Sequence, residues 1–351
     1  MKAFFAHDQL LHQPTACGPG HSRVTNADAT RVHAALAALD AQGIALDTPA
    51  DYGVAIEAVH ASHYLGFLRH AHERWQLHPD QATLGTDVYP ALSPPRNAWQ
   101  RAPLRGACQA QSVIGQAGYY LGDRSCKMGP DTWRAALRSS HCAIAAADWV
   151  ATFNDVAYAV CGPPGNHAHY DRAASHCFLN NSAMAAQRLR STFQRVAILD
   201  IDAHHGDGTQ DIFYDRADIM TLSIHNDPGH AYPYYTGYAC ERGLGLGHGY
   251  NINMPLGHGA VKADFLIAME KALATMRDFR ADALVLALGT PQCTPHPAPH
   301  PASSLEVYQR VGERVGTLHL PTVIVQEGGC QAGTLQSTVD AFLQGLSEAT
   351  I

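Results

Sequence analysis

Leu199–Gln210 reads LDIDAHHGDGTQ. An apolar run closes on Asp200 and Asp202, and His204 follows two residues later. In an extended chain alternate side chains share a face, so Asp200, Asp202 and His204 are expected to project together. A carboxylate and an imidazole on one face at the end of a strand are good zinc ligands. The HGDG that follows separates this stretch from an ordinary solvated pair of loop acids.

Working outward, Ala197–Asp202 (AILDID), Ile219–Ile224 (IMTLSI), Ala283–Leu288 (ALVLAL) and Thr322–Gln326 (TVIVQ) are short apolar runs bounded by polar residues, Gly or Pro. They read as strands buried on both faces. Lys262–Phe279 carries apolar residues at helical spacing, and Ser304–Leu318 does so less cleanly, with Ser304 placed to cap it. Asn26–Leu39 reads as a capped helix ended by Gly43. Alternating β and α segments predict one α/β domain over 1–351, a mainly parallel central sheet flanked by helices. Residues 81–112 and 289–303 are Pro-rich, and the second (GTPQCTPHPAPHPAS) suits neither a helix nor an inner strand. Both are expected as loops at the carboxyl ends of the strands, where α/β proteins keep their sites.

Composition narrows the function class. Of 351 residues, 46% are apolar and 16% charged, which excludes a disordered chain. The net charge of −7 and the lack of a basic run argue against a nucleic-acid partner. The 22 histidines nearly equal the 24 Lys and Arg, a hint of metal or proton chemistry that composition alone does not localise. Nine scattered cysteines without a C-x-x-C pair fit neither a disulfide scaffold nor a zinc ribbon. The start, MKAFFAHDQLL, lacks the apolar core of a signal peptide. No apolar run reaches the roughly 18 residues of a membrane span. A cytoplasmic protein with reduced thiols and no membrane association is expected.

A second stretch, Cys161–Asn181, reads CGPPGNHAHYDRAASHCFLNN. Further stretches are VHASHYLGFL at 59–68, GPDTW at 129–133, NNSAMAAQRL at 180–189, GTQDIFYDR at 208–216, SIHNDP at 223–228 and VQEGG at 325–329. Together with 199–210 they resemble the histone deacetylase and acetylpolyamine amidohydrolase family, with the bacterial acetylpolyamine branch nearer. The resemblance implies the arginase–deacetylase fold. It also implies one zinc ion held by two Asp and a His, a tandem His pair that handles the proton of water, and a Tyr that donates to the oxyanion. On this chain Asp202 and His204 match two metal ligands, and His167 matches the second of the tandem pair. Asp200 and Asp207 match the carboxylates that orient the first and second of that pair, and His225 matches a supporting position. A monovalent cation, potassium, held partly by backbone carbonyls near the metal motif, is implied as well.

The pattern breaks at four places. The first tandem His is Asn166, the third metal-ligand Asp is Pro291, and the catalytic Tyr is Cys330. The Gly-Phe pair of the pocket wall is Ser175–His176. Catalytic zinc normally has three protein ligands, a lost oxyanion donor costs about 10²–10³ in rate, and a lost general base costs roughly 10²–10⁴. Ordinary zinc deacetylation is therefore not expected without compensation. Three readings stay open. Cys330, His167 and Asp207 would form a nucleophilic Cys–His–Asp set, with Asn166 offering an amide N–H to an oxyanion, for acyl transfer, hydrolysis or cyclisation. Cys293, His296 or His300 would rebuild the zinc site. Or the fold serves binding or scaffolding as an inactive pseudo-deacetylase. The partner expected for an active site is a small-molecule or carrier-bound acyl substrate, and an oligomer is compatible with the sequence.

Overall fold

The four apolar runs form adjacent strands at the centre of one sheet. The computed structural model describes residues 1–13, 15–18, 21–24, 27–93, 110–290, 304–329 and 332–349. Its strands are β1 (Lys2–Phe4), β2 (Thr15–Gly18), β3 (His21–Val24), β4 (Leu46–Asp47) and β5 (Val156–Ala159), followed by β6 (Val196–Asp200), β7 (Ile219–Asn226), β8 (Asn251–Leu256), β9 (Ala283–Leu288) and β10 (Thr322–Gln326). Eight make a sheet in the order β4-β1-β5-β10-β9-β6-β7-β8, and every pairing in it is parallel. The mainly parallel sheet expected from the sequence is thus wholly parallel. β2 and β3 form a separate antiparallel ribbon.

Helices cover both faces. They are α1 (Ala27–Ala41), α2 (Ser62–Gln76), α3 (Gln81–Leu84), α4 (Val113–Tyr120), α5 (Thr132–Phe153), α6 (Asn181–Leu189), α7 (Asp207–Phe213), α8 (Lys262–Phe279), α9 (Leu305–Gly316) and α10 (Ala332–Ala349). Side chains alternate along the buried strands and feed two cores. Val196, Ile198, Val285, Val323 and Val325 pack with residues of α2, α4, α5 and α6. Ala197, Leu199, Leu284, Leu286 and Ile324 pack with α1, α8, α9 and α10. Burial on both faces is why these strands are apolar runs rather than alternating ones. Ser304 caps α9, its hydroxyl accepting from Val307 N. No described helix is long and apolar enough to cross a membrane.

Two local expectations change. Residues 81–84, at the start of the expected loop 81–112, form the short helix α3. The strand expected over 197–202 stops at Asp200. Asp202 N donates to Asp200 Oδ1 at 2.9 Å, and His204 N donates to Asp202 Oδ1 at 2.9 Å. Each carboxylate captures the amide two residues on, so the chain turns instead of staying extended. Asp202 and His204 are brought together by this winding, not by alternation along a strand.

Candidate functional site

The site lies at the carboxyl ends of β6, β9 and β10, where the chain leaves the sheet between helices. Two further segments converge there: the loop 160–180 after β5, and the loop 227–250 between β7 and β8. His167 and Asp202 are buried, and His204 is half-buried. Each offers a ligand atom, and the three atoms lie within 4.8 Å of one another. They are the one such group of His, Cys, Asp or Glu among the described residues.

His167 Nδ1 is 2.7 Å from Asp207 Oδ1, at the start of α7. Asp207 Oδ2 also accepts from Tyr235 Oη at 2.6 Å and lies 3.2 Å from His169 Nε2. Burial works against the Asp207 carboxylate, but His169 and His167 outweigh it and hold Asp207 well below the usual range. Burial alone would lower His167. The hydrogen bond and charge of Asp207, with Asp202 and Asp200 behind it, instead raise it to about 9. Asp200, on the other side, is pushed up from the usual carboxylate range by burial and by the charge of Asp202. Its Oδ2 accepts from Asn166 Nδ2 at 3.1 Å.

Asn166 therefore has one amide N–H committed to Asp200, where an oxyanion was the expected acceptor. Its backbone N–H and that of Gly165 donate to Glu327 Oε2, at 3.1 and 2.7 Å, while Glu327 Oε1 accepts from Ser182 Oγ at 2.7 Å. Glu327 therefore clamps the loop that presents His167. Burial raises it to about 7 against the pull of these hydrogen bonds. Gly289 and Gly328 press on Asp202: a Cβ on either would stand 2.3 or 2.9 Å from Asp202 Oδ2.

Ser175 and His176 both adopt left-handed backbone, with φ of 46° and 64°. Where the resemblance implies a Gly, Ser175 holds a conformation that costs an L-residue roughly 1–2 kcal/mol. Its N–H is fixed by Asp123 Oδ2 at 2.9 Å, the oxygen that also accepts from Tyr232 Oη at 3.0 Å. The Tyr232 ring stands edge-on to His167 and His204, at centroid distances of 5.2 and 5.7 Å. Ser175 is in this way tied to the wall beside the cluster. His225 points elsewhere. Its Nδ1 meets Ser223 Oγ at 2.8 Å and its Nε2 meets Gly237 O at 2.9 Å, which anchors the 227–250 loop.

Pro291, Cys293, His296, His300 and Cys330 lie outside the described residues. Tyr232, Tyr235, Asp123, His169 and Glu327 join the site without being among the expected residues. His169 carried a usable signal, two residues from His167 in the same stretch, and Glu327 sits inside VQEGG. The two tyrosines and Asp123 reach the site only through folding.

A histone deacetylase domain model matches residues 25–346. The chain is 42% identical over 349 residues to an acetylpolyamine amidohydrolase of Burkholderia pseudomallei, covering 98% of each chain. It is 37% identical over 300 residues to acetylpolyamine amidohydrolase 2 of Pseudomonas aeruginosa, covering 85% of this chain and 84% of that one. A crystal structure of an acetylpolyamine aminohydrolase from Burkholderia pseudomallei superposes with a TM-score of 0.90 at 40% identity, covering 99% of both. The strands that close on Asp200, Leu288 and Gln326, and the His–Asp pair between them, are therefore those of a protein that belongs to the histone deacetylase family.

Proposed function

We propose that the cluster around His167, Asp202 and His204 is a repurposed amidohydrolase site that acts on a small-molecule or carrier-bound acyl substrate, as an amide or thioester. One observation carries this: a buried imidazole, His167, is oriented at 2.7 Å by the buried carboxylate of Asp207, beside two side chains of metal-ligand type. Such a pair holds one tautomer, with Nδ1–H on the carboxylate and Nε2 aimed at the reacting atoms. The Tyr232 ring packs edge-on against His167, and Glu327 and Asn166 fix the backbone that carries His167.

Members of this family typically use zinc. The residues present fit a divalent ion in part. Asp202 Oδ2 accepts no hydrogen bond from a described residue, and Asp202 with His204 supplies an oxygen and a nitrogen donor of the kind zinc takes. Asp202 and His204 would hold the ion, which when bound would polarise the substrate carbonyl as a Lewis acid. The potassium ion implied by the resemblance, held partly by backbone carbonyls near the metal motif, belongs to the same reading. So does a cytoplasmic setting.

The His167–Asp207 pair also supports a second reading, in which it serves the Cys330 thiol two residues beyond Gly328. A panel of small N-acyl amines and acyl thioesters, assayed with purified protein, tests both. His167→Ala is expected to lower kcat/KM by about 10²–10⁴. Loss on Cys330→Ala, together with a fast-labelling thiol, would select the thioester route. A Cys330 that labels no faster than a free thiol removes that route. Turnover that ignores His167, or no turnover on any substrate, would overturn the enzymatic reading and leave the pseudo-deacetylase, used for binding or scaffolding.

A further inference from the structure

We infer that His167 is a metal ligand: His167, Asp202 and His204 form a three-residue site in which an imidazole replaces the carboxylate missing at position 291. This rests on the reading above that the cluster is the working site, and it changes the role of one residue in it. The ligand atoms of the three lie within 4.8 Å of one another. Ligands about 2.0–2.1 Å from a tetrahedral zinc stand roughly 3.4 Å apart. Asp202 Oδ1 and His204 Nδ1 are already 3.9 Å apart, so the three ligand atoms need draw together only slightly on binding.

His167 is prepared for ligation by its own partner. A metal-bound imidazole nearly always donates its other ring N–H to a carboxylate, which fixes the tautomer and makes the free nitrogen more basic. Asp207 holds Nδ1 from 2.7 Å, so Nε2 is the nitrogen left for a metal, and binding there displaces its proton. Tyr235 and His169 hold Asp207 in turn. The Tyr232 ring lies edge-on to both imidazoles and restrains their planes.

The surroundings favour a cation. Asp200, Asp202 and Glu327 are buried, at 2%, 3% and 0% exposure. None of them makes an ion pair with Lys or Arg among the described residues. Buried carboxylates without a cationic partner are costly. A divalent ion between Asp202 and two imidazoles supplies that partner, and an Asp-His-His set is one that zinc accepts.

Ligation and proton transfer compete for one lone pair. With Nε2 on a metal, His167 no longer serves as the base that the resemblance assigns to it. Asn166 offers no imidazole in compensation.

The test reads metal binding, not turnover. Protein stripped with a chelator is titrated with cobalt(II), following its visible bands, stoichiometry and affinity. One equivalent is expected to bind tetrahedrally. His167→Gln and His204→Ala should weaken binding by more than 100-fold, Asp207→Asn by about 10–100-fold, and Cys293→Ala and His296→Ala not at all. In the unsubstituted protein, proton NMR of the cobalt form should show two hyperfine-shifted imidazole N–H resonances, one each from His167 and His204. That reading does not depend on how a variant folds. No cobalt uptake, a single shifted N–H, unchanged binding in His167→Gln, or loss of the third ligand with Cys293 or His296 each overturns the proposal. A protein that binds cobalt through His167 yet turns over no acyl substrate would refute the proposed function alone. An active enzyme whose metal ignores His167 would refute this inference alone.

Discussion

Gly208 has no room for a side chain. A Cβ there would stand 2.4 Å from Ala168 O and 2.6 Å from His167 C, and a Cβ on Gly206 would stand 2.2 Å from Asp200 Oδ2. The two glycines of HGDG let α7 begin directly against the loop that carries His167, which is what allows Asp207 to reach Nδ1. Gly208→Ala must push that loop away from the helix. It is expected to cost about 3 kcal/mol, the upper part of the overpacking range, as a lowered urea midpoint with m unchanged. A shift below about 0.5 kcal/mol, the size of an ordinary surface substitution, would mean the backbone gives way freely here. Continuous motifs are also why part of the site was legible. Asp200, Asp202, His204 and Asp207 fall within eight residues, so one pattern names them all. Tyr235 meets Asp207 across 28 positions, Tyr232 meets Asp123 across 109, and Glu327 meets Gly165 across 162. No local spacing encodes contacts of that range.

Strands and helices are most legible in the sequence where burial is complete. Ala283–Leu288 and Thr322–Gln326 run as expected, because an apolar stretch between polar ends has only the interior to go to. Strand periodicity fails at Asp202 because the side chains of Asp200 and Asp202 bond the backbone two residues on. Connections between elements were not legible either. His60, just before α2, lies opposite His169 O at 2.9 Å through Nδ1 and accepts from Asn180 N at 2.9 Å through Nε2. It joins the His167 loop to the start of α6. Burial lowers it from 6.5 to about 4. Between those values the unfolded chain binds a proton that the folded chain refuses, so the contribution is full above pH 6.5 and fades as pH falls toward 4. From pH 7.5 to 5 this amounts to about 2 kcal/mol. His60→Gln should therefore lose about 2 kcal/mol less than the unsubstituted protein over that interval. His205, lowered in the same direction, is present in both and cancels. Equal losses in urea denaturation at the two pH values would assign the acid sensitivity elsewhere.

Across the whole molecule, one sheet divides two cores, and neighbouring residues of β9 serve opposite sides. Val285 packs with the α2, α4, α5 and α6 face, and Leu286 with the α1, α8, α9 and α10 face. Leu286 also pairs with Leu199 on β6 and Ile324 on β10, two residues before β9 ends beneath Asp202. Leu286→Ala should cost about 2–5 kcal/mol. Val285→Ala removes less surface and should cost about 2 kcal/mol. Because both cores rest on the same eight strands, neither layer of helices can melt while the sheet stays intact for the other. Each variant is therefore expected to move a single unfolding transition, seen alike by far-ultraviolet circular dichroism and tyrosine and tryptophan fluorescence. A second transition in either variant would show that the faces unfold separately. The site would then depend on one layer only, and metal affinity would follow the Val285 variant, whose face carries α6 and α7, but not the Leu286 one. With a shared sheet, both substitutions should weaken cobalt binding only at denaturant concentrations where that one transition has begun.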